Sequence, residues 1–283
     1  MTAPFTQPPQ YTKSNTPQNR QLTVVVPFFN EEKYIARTLE SILAQEHQPD
    51  EIILVNNGST DRSLEICHAF KDKHKDILIC VLHDPRPGKT NALETGLRAV
   101  NSSYVAFVGA DTYYPPHYFA LAMRLLTLSD GDLVGTIGIG IQNTPDSLAG
   151  HAKRLKGAVA GILLACQCHS GGYGHVFRTS IVRKAGGYSR EQWPFALEDH
   201  EIVHRMLKHG HIAYHRDLWC KTSDRRSNRK SVSWNWFEVT LYHLTPYALK
   251  DWYFYRFLKS RFHQRHVLSA YLRAQPWQSQ AEV

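Results

Sequence analysis

The chain contains no run of about 18 uncharged apolar residues, the length a bilayer-spanning helix needs, and its N-terminus has no basic-then-apolar secretory pattern. These absences predict a cytoplasmic protein, working in solution or at the inner face of the cell membrane. Cysteine is sparse: Cys67, Cys80, Cys166, Cys168 and Cys220 form an odd, unpatterned set, as expected where thiols stay reduced. Cys166-x-Cys168-His169 is too tight for a zinc knuckle and has no second half, so it reads as ordinary core and loop. Residues 1–20 have almost no aliphatic content and are read as a disordered leader. What remains is globular in composition, 42% hydrophobic and 20% charged, and 283 residues allow one large α/β domain with appendages.

Charge is unevenly placed. Lys221 to Arg273 holds eleven Lys and Arg against three acids, which by itself equals the net +8 of the whole chain. A basic C-terminal surface implies an anionic partner: phosphate groups, an acidic membrane or nucleic acid.

From Leu22 onward, strand, loop and helix alternate. Leu22–Val26 is a β-branched run ended by Pro27, and Asn30-Glu31-Glu32 opens a helix with Ile35, Leu39, Ile42 and Leu43 on one face. Glu51–Val55 is a second strand, and Thr60-Asp61 caps the helix after it. Ile77–Leu82 is a third strand, a helix runs from Lys89 to Val100, and Tyr104–Val108 is a fourth strand, stopped by Gly109. Four such repeats imply right-handed crossovers and a doubly wound, mostly parallel sheet flanked by helices. Strand-like Leu133–Ile141 and a helix over Ser147–Leu164, beneath the site, follow. In such sheets ligands sit beyond the carboxyl ends of the strands. That rim gathers Phe29, Asn56, Asn57, Arg86, Lys89 and Asp111, a mixture suited to a nucleotide, its diphosphate and a divalent ion.

Four segments in order, VVVPFFNEE (24–32), ILVNNGSTD (53–61), GKTNALETGL (88–97) and FVGAD (107–111), resemble the motifs of family-2 inverting glycosyltransferases of the GT-A fold. The resemblance runs from about Thr23 to Arg226 and implies a catalytic domain over residues 21–228. It implies that Pro27, Phe29, Glu31, Asn56, Asn57 and Ala110 line the pocket of a nucleotide-diphosphate sugar. Lys89, with Arg86, would face the diphosphate, and Asp111 would be the metal-binding acid for Mg²⁺ or Mn²⁺. The chain departs from the family where acids are replaced by Asn56, Asn57 and Gly109; the last leaves a single carboxylate for the ion. A catalytically inactive binding protein on the same fold is the alternative these departures support.

A second centre is Glu198-Asp199, at the start of a helix whose dipole stabilises negative charge. The resemblance implies that Asp199 is the base removing the acceptor hydroxyl's proton, with Glu198 orienting it, and that the glycine-rich turn at Gly172 approaches the sugar. The acceptor would be a saccharide or lipid-linked saccharide of cell-surface polysaccharide synthesis. His200-Glu201-Ile202-Val203-His204 also matches the zincin pattern HExxH, but Leu207 and Gly210 stand where its metzincin extension needs Gly and His, so a zinc hydrolase is a remote reading. Pro87-Gly88-Lys89-Thr90 lacks the first glycine of a P-loop, because His83 stands there.

Residues 229–283 read as a basic, aromatic helical extension. Arg225 and Arg226 could close over the diphosphate. The rings and cations of 232–275 suit either a peripheral contact with an anionic membrane or packing on the catalytic domain or in a dimer. No nucleic-acid motif accompanies them, and the sequence does not fix the oligomeric state.

Overall fold

The computed structural model describes residues 20–129, 131–142, 144–223 and 234–270. Its frame is β1 (Leu22–Phe28), α1 (Ile35–Leu43), β2 (Glu51–Asn56), α2 (Ser63–Lys73), β3 (Leu78–His83), α3 (Lys89–Ala99) and β4 (Tyr104–Val108), the alternation the sequence predicts. Later elements are β5 (Thr112–Tyr113), α4 (Tyr118–Leu128), β6 (Leu133–Ile137), β7 (Ile139–Ile141), α5 (Leu148–Leu163), β8 (Gly174–Arg178), α6 (Thr179–Lys184), α7 (Glu198–Met206), β9 (His211–Ala213) and β10 (Trp219–Thr222).

The main sheet has seven strands in the order β3-β2-β1-β4-β8-β6-β9. β8 runs antiparallel to both its neighbours and the other pairs are parallel. β1, β2 and β4 are apolar almost without interruption because the sheet is covered on both faces. Val24, Val26, Phe28, Ile52 and Leu54 face α1, α2 and α4, whereas Val25, Ile53, Val55, Val105 and Phe107 face α3, α6 and α7. The chain winds from β1 toward β3, then returns to place β4 on the other side of β1. A crevice therefore opens beyond the carboxyl ends of β1 and β4, the switch point where open α/β sheets bind ligands.

Three local expectations change. β1 continues through Pro27 to Phe28, because β4 pairs with β1 only through Val25 and Pro27 needs no amide hydrogen on that side. α1 starts at Ile35, since Asn30 takes a left-handed φ of 53° and Asn30, Glu31 and Glu32 bond instead to Thr60, Ser63 and Asp61. The strand expected over 133–141 breaks at Gly138 into β6 and β7, which lie in different sheets. A Cβ at Gly138 would stand 2.3 Å from the buried Tyr118 hydroxyl.

The C-terminal region is helical: α8 (Trp236–Leu244), a turn at Tyr247–Leu249, and α9 (Lys250–Trp252) running through a π-helical stretch, Tyr253–Leu258, into α10 (Lys259–Gln264). Tyr242, Tyr253, Phe254, Leu258 and Phe262 form a third core with Trp193 and Phe195 of the preceding domain. Most of these rings therefore pack inward; Trp236, Phe237 and Trp252 remain exposed. Buried Glu238 holds this unit together, closing a capping box with Asn235 and pairing with Arg261 and Arg265 at 2.8 and 2.7 Å.

Candidate active site

One side of the crevice is built by the loops after the first four strands. Pro27 and half-buried Phe29 close β1. Asn56 and Asn57 end β2, but their amides are occupied by the chain. Asn56 bonds His83 Nδ1 and accepts from Ser59 N–H. Asn57 donates to the Asp84 and Arg86 carbonyls at 3.0 and 2.8 Å and accepts from Gly88 N–H, so it shapes the 84–88 loop. Arg86 is turned away from the rim: its guanidinium grips both oxygens of buried Asp84 and reaches Glu94. Burial raises the Asp84 pKa, but the Arg86 and Thr95 hydrogen bonds outweigh it and hold the carboxyl below its ordinary value.

Asp111 is 5% exposed and accepts from the Ser223 hydroxyl at 2.8 Å, while its carbonyl accepts from Ser223 N–H. The Ala110 carbonyl accepts from Thr38 Oγ1 at 2.8 Å, which fixes the peptide before Asp111. Ser223 is a partner the sequence reading missed; it lies 112 residues away with no local signal. Among the described residues no group of three His, Cys, Asp or Glu could hold an ion by itself. His200 and His204 do not form a zinc pair, for His200 bonds Asp199 and His204 bonds Asp251. One carboxylate with a neighbouring hydroxyl fits an ion that is held largely by phosphate oxygens, the usual habit of Mg²⁺.

The opposite side centres on α7. Leu197 precedes it with φ 65°, a costly conformation for a branched residue, and places Glu198 and Asp199 at the helix start. Asp199 Oδ2 accepts from Gly172 N–H at 2.5 Å, and Oδ1 accepts from His200 N–H at 2.9 Å. The His200 ring nitrogen Nδ1 lies 2.9 Å from the same oxygen. Burial works against the charge, yet His200, Lys89 and His175 together hold Asp199 well below the ordinary carboxylate value. Lys89 Nζ lies 2.8 Å from Glu198 and 3.3 Å from the Gly172 carbonyl, so the cation expected on the donor rim stands between the two sides. A Cβ on Gly172 would sit 3.0 Å from Asp199 Cβ and 3.1 Å from Lys89 Nζ, so a larger residue would press on both.

Two further groups went unseen in the sequence. Tyr114 bridges the sides, its hydroxyl accepting from Gly109 N–H and donating to the Tyr173 carbonyl. His175 is fully buried beneath Asp199 on β8, where burial brings its pKa down to about 4; a polar residue on an inward position of a strand was its only trace. Arg225 and Arg226 lie outside the described residues.

A mostly parallel sheet flanked by helices, with Asp111 beyond β4 and the buried pair Glu198 and Asp199 reached by Lys89, is a GT-A-like fold. The chain belongs to glycosyl transferase family 2, whose model matches residues 23–186, more than half its length. It is 38% identical over 113 residues to glycosyltransferase GlyA of Streptococcus pneumoniae, covering 40% of this chain and 16% of the relative. It is 36% identical over 100 residues to poly-beta-1,6-N-acetyl-D-glucosamine synthase of Staphylococcus epidermidis, 35% of this chain and 24% of the relative. The chain thus spans less than a quarter of the length of either. In fold it resembles the mannosyltransferase PcManGT from Pyrobaculum calidifontis, solved with GDP-Man and Mn²⁺, at TM-score 0.62 and 20% identity over 94% of this chain and 74% of the other. S. aureus TarS 1-349 in complex with UDP-GlcNAc follows at TM-score 0.55 and 19% identity, over 93% and 76%.

Proposed function

We propose that the protein is an inverting glycosyltransferase that moves a sugar from a nucleotide-diphosphate sugar to an acceptor hydroxyl, on a saccharide or lipid-linked saccharide of a surface-polysaccharide pathway. The observation that carries this reading is Asp199, a buried carboxylate at the start of α7, held by Gly172 and His200 and kept charged by the cations around it. The donor's base and ribose occupy the end of β1 near Pro27, Phe29 and Glu31, with Asn56 and Asn57 shaping the loops rather than gripping the base. Asp111 and Ser223 would hold Mg²⁺ or Mn²⁺, which when bound would supply positive charge to the leaving diphosphate.

Asp199 accepts the acceptor's proton while that oxygen attacks the anomeric carbon, and the bond to the diphosphate breaks on the opposite face. A depressed pKa keeps Asp199 ionised but makes it a weak base, so the proton moves only as the new bond forms. Lys89 is one cause of that depression. If donor phosphate draws Lys89 off Glu198, Asp199 becomes more basic when the donor is in place, and Glu198 is freed to orient the acceptor.

The test is hydrolysis of a panel of nucleotide sugars with and without Mg²⁺ or Mn²⁺. Metal-dependent release of a nucleoside diphosphate from at least one donor is expected. Tight donor binding with no turnover for any would establish the inactive, binding-only reading instead.

A further inference from the structure

α5 is placed inside out. An amphipathic surface helix ordinarily turns its large apolar residues inward. Here the inward face is glycine: Gly157 packs on Ile139, and Gly161 on Tyr214, where a Cβ would meet the ring at 2.5 Å. The large side chains point away. At 3.6 residues per turn, Leu148, Leu155, Val159, Ile162 and Leu163 fall in one stripe about 100° wide, and they are 42 to 89% exposed. Single exposed leucines are ordinary, but a continuous stripe along a 16-residue helix marks an interaction surface. We propose that this face of α5 docks on an anionic lipid bilayer, lying in the plane of its headgroups.

Charge selects this occupant. His151 and Lys156 are exposed along the two edges of the stripe, Lys153 is exposed further round the helix, and the helix contains no Asp or Glu. An apolar stripe flanked by cations is what an interface with acidic headgroups requires. Among the described residues no helix is long and apolar enough to cross a membrane, so contact would be lateral. The C-terminal rings are poorer candidates, because most are committed to the core around Trp193. The position also serves the reaction, a point that rests on the proposed transfer to a lipid-linked acceptor: eight residues separate Leu163 from Gly172, whose amide holds Asp199.

The experiment is co-sedimentation of the full chain with vesicles of phosphatidylcholine and phosphatidylglycerol, or of phosphatidylcholine alone. Binding is expected to the anionic vesicles and to weaken with salt. Leu155→Glu with Ile162→Glu should lower the partition at least about tenfold. Lys153→Gln and Lys156→Gln should lower it roughly fivefold each. Trp236→Ser should leave it unchanged. Equal binding to neutral vesicles, loss with Trp236→Ser but not with the α5 pair, or a dimer in light scattering that the α5 pair dissolves without vesicle binding would each overturn the proposal. Donor hydrolysis, followed in parallel, should survive the α5 substitutions. Vesicle binding through α5 without hydrolysis by any variant would keep the surface and refute the transfer reading.

Discussion

The two sides of the crevice are held in different ways. On the side proposed for the donor, the polar groups after β2 and β3 are fixed by partners close in sequence or in neighbouring βα units: Arg86 by Asp84 two residues back, Asn56 by Ser59. Asp111, by contrast, is held by Ser223 from 112 residues away. On the side proposed for the acceptor, local partners such as His200 are joined by remote ones. Gly172 holds Asp199 from 27 residues away, and Tyr255 donates to Glu201 across 54. Glu201 also grips Arg205 with both oxygens at 2.8 Å, and the ring core around Trp193 and Phe254 backs the same loop. The loops after β2 and β3 are thus preorganised by their own motifs, whereas α7, which carries Asp199, also draws order from the C-terminal helices through Tyr255 and Glu201. Damage to those helices should reach the acceptor chemistry while sparing donor binding.

The largest test of this division is Asp199→Asn. Removing a general base costs about 10²- to 10⁴-fold in rate, so transfer should fall by that much while donor affinity, measured by calorimetry, changes little. Because the Asp199 pKa is depressed in the folded protein, its ionised form adds stability above the ordinary carboxylate pKa of about 3.9, lost only as pH falls below that. The wild-type kcat/KM should therefore show no acid limb from this group at pH 5 and above, by the same reference value of about 3.9. Unimpaired transfer by the variant would remove the base from the acceptor side and with it the comparison.

That asymmetry also explains what could be read in advance. The parallel βα frame and the rim residues were legible because strand runs, turn residues and helix faces are local signals, as in Ile35, Leu39 and Ile42. Which rim residues stay available was not. The sequence offers Arg86 to a phosphate and Asn57 to a base, and only the tertiary structure reveals that Asp84 binds the first and that the second bonds the 84–88 loop. Ser223, Tyr114 and His175 contribute through tertiary placement alone. The aromatic tail suggested a membrane by composition, yet composition cannot tell a ring in a headgroup region from one stacked on Trp193.

An intermediate effect is expected from Glu201→Gln. The Glu201–Arg205 pair is buried, and breaking such a pair leaves an uncompensated charge at a cost of about 3–5 kcal/mol. Thermal unfolding should move down accordingly. Below the new midpoint, KM for the acceptor should rise more than KM for the donor, since α7 carries Asp199. An equal rise in both would mean that the two sides are a single mechanical unit.

The smallest effect on turnover is expected from Arg86→Gln. Its guanidinium serves Asp84, which is 3% exposed and also accepts from Thr95 at 2.6 Å, so the loss falls on the loop and not on the donor. Leaving a buried carboxylate short of partners costs about 1–3 kcal/mol. The Asp84 pKa is depressed in the folded protein, so this stabilisation is present above about pH 4 and lost as pH falls through the folded value; the variant's stability should depend less on pH there. Donor KM should shift by less than about threefold, an interaction of under 1 kcal/mol. A tenfold weaker donor with unchanged unfolding would mean that Arg86 swings from Asp84 to the diphosphate when the donor arrives. The donor side would then also be a moving part, and preorganisation would no longer separate the two halves of the crevice.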